Sequence, residues 1–193
     1  MALQAVGLDK FYRLINHGPT VMVSAKDGGV ANVMSAAWAC VVDYLPNPKV
    51  SVILDKAAFT RRLIEQSGYF ALQVPFAKQA NLVVAMGESR HDNPNKLTDN
   101  GVELFYADGF DIPLVAECSA YILCRLIAEP HNHEKHDLFI GEVLAAFADD
   151  RVFQDGRWQF DSVPDELHNL HYVAGGQFYI TGKGLKVDKV LPF

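Results

Sequence analysis

At 193 residues, half of them hydrophobic and including 12 Phe, 7 Tyr and 2 Trp, the chain is long enough for one sizeable core and too apolar and aromatic for a disordered regulator. Its formal charge is −6, and no block of Lys or Arg reaches the density of a phosphate-backbone footprint, which argues against a nucleic-acid partner. The opening MALQAVGLDKFYRLINHG carries charges within short apolar stretches and no apolar run reaches the roughly 20 residues that cross a bilayer, so one domain over 1–193 in the cytoplasm is the default expectation.

Leu8–Ile15 predicts a short helix ahead of Gly18 and Pro19. Val21–Ala25 reads as a strand, and Lys26-Asp27-Gly28-Gly29 as a hairpin turn, because glycine accepts the positive φ such turns demand. A second strand is expected over Val30–Val42, where Asn32, Ser35 and Trp38 interrupt a small and apolar run. Polar side chains in such a strand imply cross-chain hydrogen bonds or a ligand surface. Pro46 and Pro48 end it. Lys49–Leu54 is a third strand, after which Ala57–Gln66 changes to helical spacing, with Phe59, Leu63 and Ile64 on one face and Gly68 as the stop. Tyr69–Val74 is a fourth strand closed by Pro75, and Lys78–Met86 a further short helix. The polar tract SRHDNPNKLTDNG predicts an irregular surface loop. Val115–Ala128 reads as a long strand with His136–Phe147 as its antiparallel partner, Asp150–Trp158 as a turn and short strand, and Gln177–Ile180 as the last strand. Seven or eight strands, two or three short helices and no βαβ repeat favour a closed or partly closed barrel with helical insertions.

The three cysteines, Cys40, Cys118 and Cys124, form neither a close pair nor an even framework, and read as small core residues. In an extended segment His131 and His133 share a face, but without a further convincing ligand they make a weak metal site. There is no GxGxxG after a strand, no phosphate-binding loop of the Walker type, no HExxH and no GxSxG.

Taken in order, GGVANVMSAAW, ILDKAAFTRRLIEQSGYFALQVP, EKHDLFIGEV and YVAGGQFY resemble the flavin reductase-like family with an FMN-binding split barrel, over roughly residues 18–182. The resemblance implies a mainly β, Greek-key-like split barrel with short helical insertions. It implies FMN as cofactor, NADH or NADPH as electron donor, and a homodimer that passes electrons to free flavin, a monooxygenase or an electron-transfer protein.

Within that resemblance, Asn32, Ser35, Ala36, Ala37 and Trp38 look like the family's flavin-facing segment. Small side chains admit a planar ring close to the backbone, while Ser and Asn offer hydrogen bonds to its edges. Trp38 is either a core aromatic or a contact to flavin or substrate. Asp55, Lys56 and Ala57 look like the loop that passes the ribityl phosphate, followed by Thr60 and Arg61, with Arg62 as a substitute. Backbone donors at a helix start, a hydroxyl and a guanidinium suit a phosphate dianion; solvated helix charges and a local Thr60 bond are the alternative. His136, beside Asp137, either borders the nicotinamide or ring surface or stands in an ordinary loop, and Glu142 is either a barrel-mouth carboxylate or an arginine's partner. Tyr172, Gly175, Gly176, Phe178 and Tyr179 read as a turn and aromatic wall, to which the resemblance adds an approach to flavin.

The function implied is an NAD(P)H-dependent flavin reductase, in which flavin supplies the redox chemistry and no nucleophile or acid–base pair is required. A flavoredoxin-type FMN carrier reduced by a partner protein and a non-flavin binding barrel are the alternatives.

Overall fold

The computed structural model describes residues 18–187, so the helix expected over Leu8–Ile15 lies outside the described residues. Val21–Asp27 (β1) and Val30–Ala36 (β2) pair antiparallel with Asp27 opposite Val30, leaving Gly28 and Gly29, at φ 54° and 82°, as the two-residue turn. The single strand expected over Val30–Val42 is in fact two. β2 ends at Ala36, Ala37 and Trp38 turn a corner, and Ala39–Asp43 (β3) leaves to pair with Lys49–Ile53 (β4). Both halves are small and apolar, so hydrophobic pattern alone carries no mark of the change of partner.

Tyr69–Val74 (β5), Leu104–Phe105 (β6), Leu114–Val115 (β7), Ala120–Ile127 (β8) and Leu138–Ala148 (β9) follow. Seven of these strands form one antiparallel sheet in the order β2-β1-β5-β8-β9-β4-β3. Its two edge strands are thus neighbours in sequence, joined by Ala37 and Trp38, so the sheet curls until its edges meet at that corner. This is the split barrel.

Phe59–Ser67 (α1) closes one end of the barrel. It stops where Gly68, at φ 75°, donates its N–H to the Ile64 carbonyl at 2.8 Å. Leu63 and Ile64 pack on Val21, Val23 and Ala25 of β1, Val50 and Val52 of β4, Phe70 and Leu72 of β5, and Phe139 of β9. Gly141 lets three strands approach: a Cβ there would lie 2.5 Å from Phe70 Cζ and 2.8 Å from Cys124 Cβ. On the sheet's other face, Met22 and Val33 meet Val83 and Met86 of Ala80–Met86 (α2), which continues a 3-10 turn at Ala77–Gln79. Gln73 and Ser24 are fully buried there and satisfied: Gln73 Nε2 donates to Ser24 Oγ at 2.8 Å, Gln73 Oε1 accepts the Val115 N–H, and Ser24 Oγ donates to the Pro113 carbonyl.

Other local expectations need correction. The tract SRHDNPNKLTDNG contains a helical turn, Lys96–Asp99 (α3), with Lys96 buried. The strand expected from Val115 begins at Ala120, because β7 ends at Val115 and Glu117 takes a left-handed turn at φ 61°. The histidine-rich segment is not extended: Pro130–His136 (α4) is a helix ended by Asp137 at φ 52°. Pro at its first position pre-sets the helical φ. Cys118 and Cys124 are buried, but Cys40 is exposed on β3. Phe153–Gln154 (β10) pairs with Arg157–Trp158 (β11), and Leu170–Ala174 (β12) with Gln177–Ile180 (β13). Among the described residues, no helix is long and apolar enough to cross a membrane.

Candidate functional site

The first turn of α1 is built by Asp55, whose side chain accepts the Ala57 N–H at 2.7 Å and whose carbonyl accepts the Ala58 N–H at 2.9 Å. That turn delivers Thr60 into the barrel wall, where its hydroxyl accepts a hydrogen bond from Asn32 Nδ2 at 2.8 Å. Both residues are buried, so the β2 strand and the α1 start are locked together.

Three adjoining cavities run past this junction as one trough. The first, about 340 Å³, is lined by Ser35, Ala36 and Ala37 of the corner, Val83, Val84 and Gly87 of α2 and its end, Thr20, and Tyr172, Gly176 and Phe178 of the β12–β13 hairpin. The second, about 200 Å³, shares Ser35 and Gly87 with it and adds Asn32, Asp55, Thr60, Ser89, Arg90 and Lys96. The third, about 480 Å³, shares Phe59, Ser89 and Arg90 with the second and adds Lys56, Arg62, His91 and Pro94. The character of the trough therefore changes along its length, from apolar with a few hydroxyls, through polar, to cationic.

Two features keep this passage open. A Cβ on Gly87 would lie 3.0 Å from the Val84 carbonyl oxygen and 3.2 Å from Ser35 Oγ, so a side chain here would crowd the passage between the first two cavities. Lys96 ties the loop down from beneath, its ammonium donating to the carbonyls of Met86 at 2.9 Å and Glu88 at 2.7 Å. Burial pulls its pKa down to about 8, with Glu88 opposing the shift and Arg90 adding to it.

At the cationic end, the Arg62 and Arg90 guanidiniums both stack on the Phe59 ring, 4.4 Å and 4.7 Å from its centroid. Neither forms an ion pair among the described residues. Two like charges sharing one ring repel, and an anion between them removes the repulsion. Arg90 is aimed by hydrogen bonds to the Ala31 carbonyl and, at 3.4 Å, to Asn32 Oδ1.

Residues 12–175 match the family model of the flavin reductase like domain. The chain belongs to the flavin reductase-like family. It is similar to the FMN-binding domain of a flavin reductase-like enzyme from Shewanella baltica, with 52% identity, 96% of this chain and 97% of that one covered, and a TM-score of 0.86. Flavoredoxin of Desulfovibrio vulgaris is 25% identical over 89% of this chain and 90% of its own, with a TM-score of 0.75. An uncharacterised Escherichia coli protein, YddH, is 39% identical over 174 residues, 89% of this chain and 90% of that protein.

In this flavin reductase-like chain the structure brings Asn32, Ser35, Ala36, Ala37, Asp55, Lys56, Ala57 and Thr60 to the trough, together with Arg62, Tyr172, Gly176 and Phe178. Trp38, at the corner itself, is half exposed and lines none of the three cavities, and Tyr179 is exposed. Gly175 shares with Gly176 the positive-φ hairpin turn.

Arg61 lines none of the three cavities. Its guanidinium is buried on the opposite side of α1, where it donates to Asp137 Oδ1 at 2.5 Å, Glu65 Oε1 at 3.0 Å, the His133 carbonyl at 2.9 Å and the Leu54 carbonyl at 3.2 Å. With four of its five N–H donors taken by these partners, it is an anchor for α4. His136 is exposed at the end of α4, its ring 5.7 Å from that of His131, and it too lines none of these cavities. His133 is buried and stacks on Phe139 at 4.3 Å. Among the described residues no cluster of three or more His, Cys, Asp or Glu is arranged to hold a metal ion. Glu142 pairs with Arg125 at 2.5 Å across the β8–β9 ladder.

The lining residues not legible as site residues in the sequence include Thr20, Val83, Val84, Gly87, Ser89, Arg90, His91 and Lys96. Most belong to α2 and to the loop taken as irregular surface. The available signal was a lysine and an arginine within a tract rich in turn formers.

Proposed function

We propose that this chain binds FMN along the trough and acts as an NAD(P)H-dependent flavin oxidoreductase. The observation that carries this is the graded lining, which matches FMN part by part. The paired Arg62 and Arg90, with Lys56 and His91, suit the phosphate. The polar stretch of Asn32, Asp55, Thr60 and Ser89 suits a ribityl chain. The apolar end, with Ala36, Ala37, Val83, Val84 and Phe178, suits a planar ring, and Gly87 leaves the room that a continuous ligand needs. The similarity to a Shewanella baltica FMN-binding domain supports the same choice of ligand.

Bound FMN supplies the hydride-accepting and electron-donating chemistry itself. The chain's own residues bind and orient. Arg62 and Arg90 neutralise the phosphate, Asn32 and Thr60 hold the trough's midpoint rigid, and the apolar walls keep water from one face of the ring. No side chain here is asked to act as nucleophile or general base.

The test is reconstitution with FMN followed by anaerobic addition of NADH and, separately, NADPH, with free FMN or FAD as acceptor. Loss of the oxidised flavin's visible absorbance and turnover of the acceptor are expected; neither donor reducing the bound flavin sinks the reductase assignment. The similarity to flavoredoxin favours a second reading, an electron carrier, which reduction by a partner reductase without direct NAD(P)H oxidation would select.

Trp38, Val41, Val42, Tyr44 and Leu45, on the edge strand β3 and just before and after it, are exposed large hydrophobics, and we assign their cover to a second copy of the chain. Sedimentation is expected to return a dimer; a monomer at working concentration contradicts this.

A further inference from the structure

We propose that the Thr20 hydroxyl is a positioning group for the ligand's ring, donating a hydrogen bond to the ring's polar edge in the first cavity. The inference rests on the FMN reading of the trough.

Thr20 lines this cavity and is 2% exposed. Its backbone is held against β12, since its N–H donates to the Leu170 carbonyl at 2.9 Å and Pro19 bridges His171. Its hydroxyl is buried and has no hydrogen-bond partner among the described residues. Native proteins leave few buried polar atoms unpaired, and those that persist call for a missing water, ion or ligand. The usual local remedy for a threonine is a bond to its own backbone a turn away, which the extended geometry at the start of β1 does not offer.

The surroundings decide the ligand's character. Elsewhere in the cavity lining, the side chains of Val83, Val84, Ala36, Ala37 and Phe178 carry no polar atom, and the other hydroxyls come from Ser35 and Tyr172. A ligand that satisfies Thr20 must bring an acceptor into an otherwise apolar slot, as a planar heterocycle with one carbonyl- and nitrogen-bearing edge does. The phosphate and ribityl chain do not fit this description. They match the far end of the same trough, where the charges and amides are.

The substitution Thr20→Val replaces only the hydroxyl by a methyl group and has two consequences of opposite sign. In the ligand-free chain it removes an unpaired buried hydroxyl, so the melting temperature stays level or rises. In binding it removes one hydrogen bond, so the dissociation constants for FMN and for lumiflavin, which has the ring without ribityl chain or phosphate, each rise by the same factor of about ten, or ~1.4 kcal/mol. Thr20→Ser keeps the hydroxyl and restores most of the affinity for both.

Three outcomes overturn the proposal: unchanged affinity in Thr20→Val, a loss for FMN without an equal loss for lumiflavin, or a clear drop in ligand-free melting temperature. The second would move the contact to the ribityl chain, and the third would reveal a partner within the protein. Failure of the wild-type chain to bind FMN at all is a different result, and removes the FMN reading itself.

Discussion

Arg61 separates what the helix-start sequence implies from what the fold does with it. The side chain is 5% exposed, donates to two carboxylates and two carbonyls, and lies 5.1 Å from the Phe139 ring centroid. Arg61→Ala leaves the Leu54 and His133 carbonyls and the Asp137 carboxylate without this donor. Breaking a buried pair by removing one partner costs about 3–5 kcal/mol. Asp137 and Glu65 are 33% and 38% exposed, so water screens part of the loss and the lower end applies, about 3 kcal/mol. In a chain of this length, each kcal/mol shifts the melting temperature by about 2–4 °C, which gives a fall of about 6–12 °C by circular dichroism. Arg61→Lys, which restores charge without the fork, is expected to fall between. At a temperature where the variant is still folded, its FMN affinity is expected to change much less than that of Arg90→Ala. A variant that melts with the wild type but has lost FMN binding refutes this, and returns Arg61 to the phosphate.

Three further outcomes follow from packing and charge. Gly141→Ala forces the Phe70 ring to shift within a closed core; overpacking of this kind costs about 1–3 kcal/mol, so a drop of about 2–12 °C is expected, and an unchanged midpoint would mean that the strands are farther apart than described. Lys96 has its pKa pulled from 10.5 to about 8 by burial, so between those values the unfolded chain holds a proton that the folded chain has released. Wild-type stability relative to Lys96→Met is therefore expected to rise with pH across that window and to stay constant below it, as measured by urea unfolding; a flat difference counts against the burial of this ammonium. Burial pushes the Cys118 and Cys124 thiols up to about 12, whereas Cys40 is exposed, so a thiol reagent is expected to label one cysteine in the folded chain and three after denaturation.

The parts of the fold that were legible in the sequence are those with local causes. The Gly28–Gly29 turn, the Gly68 stop and β5 between Tyr69 and Val74 each follow from nearby residues acting on their own backbone. The break at Ala37 and Trp38 was not legible, because a strand's change of partner depends on which distant strand is there to receive it. The histidine segment was misjudged for a different reason: Pro130 marks a helix start, but the helix is held in place from outside by Arg61, whose bond to His133 spans 72 positions. Half of the candidate site followed the same division. Asn32 and Ser35 stood out as polar residues in a small and apolar run and Thr60 came with the family resemblance, whereas Arg90 and Lys96 lie in a tract that reads as surface loop until it folds back against α2.

The proposed hold on FMN is by its phosphate, at the Arg62–Arg90 end of the trough. It is tested most directly by titrating the flavin-free chain with FMN and with riboflavin, following flavin fluorescence, in the wild type and in Arg62→Ala/Arg90→Ala. Saturable FMN binding is expected, tighter than that of riboflavin by about tenfold or more, because charge-assisted hydrogen bonds to the phosphate are the difference between the two ligands. In the double variant, the two affinities should converge on that of riboflavin. Equal binding of FMN and riboflavin by the wild type, or a gap that survives the loss of both arginines, would contradict it.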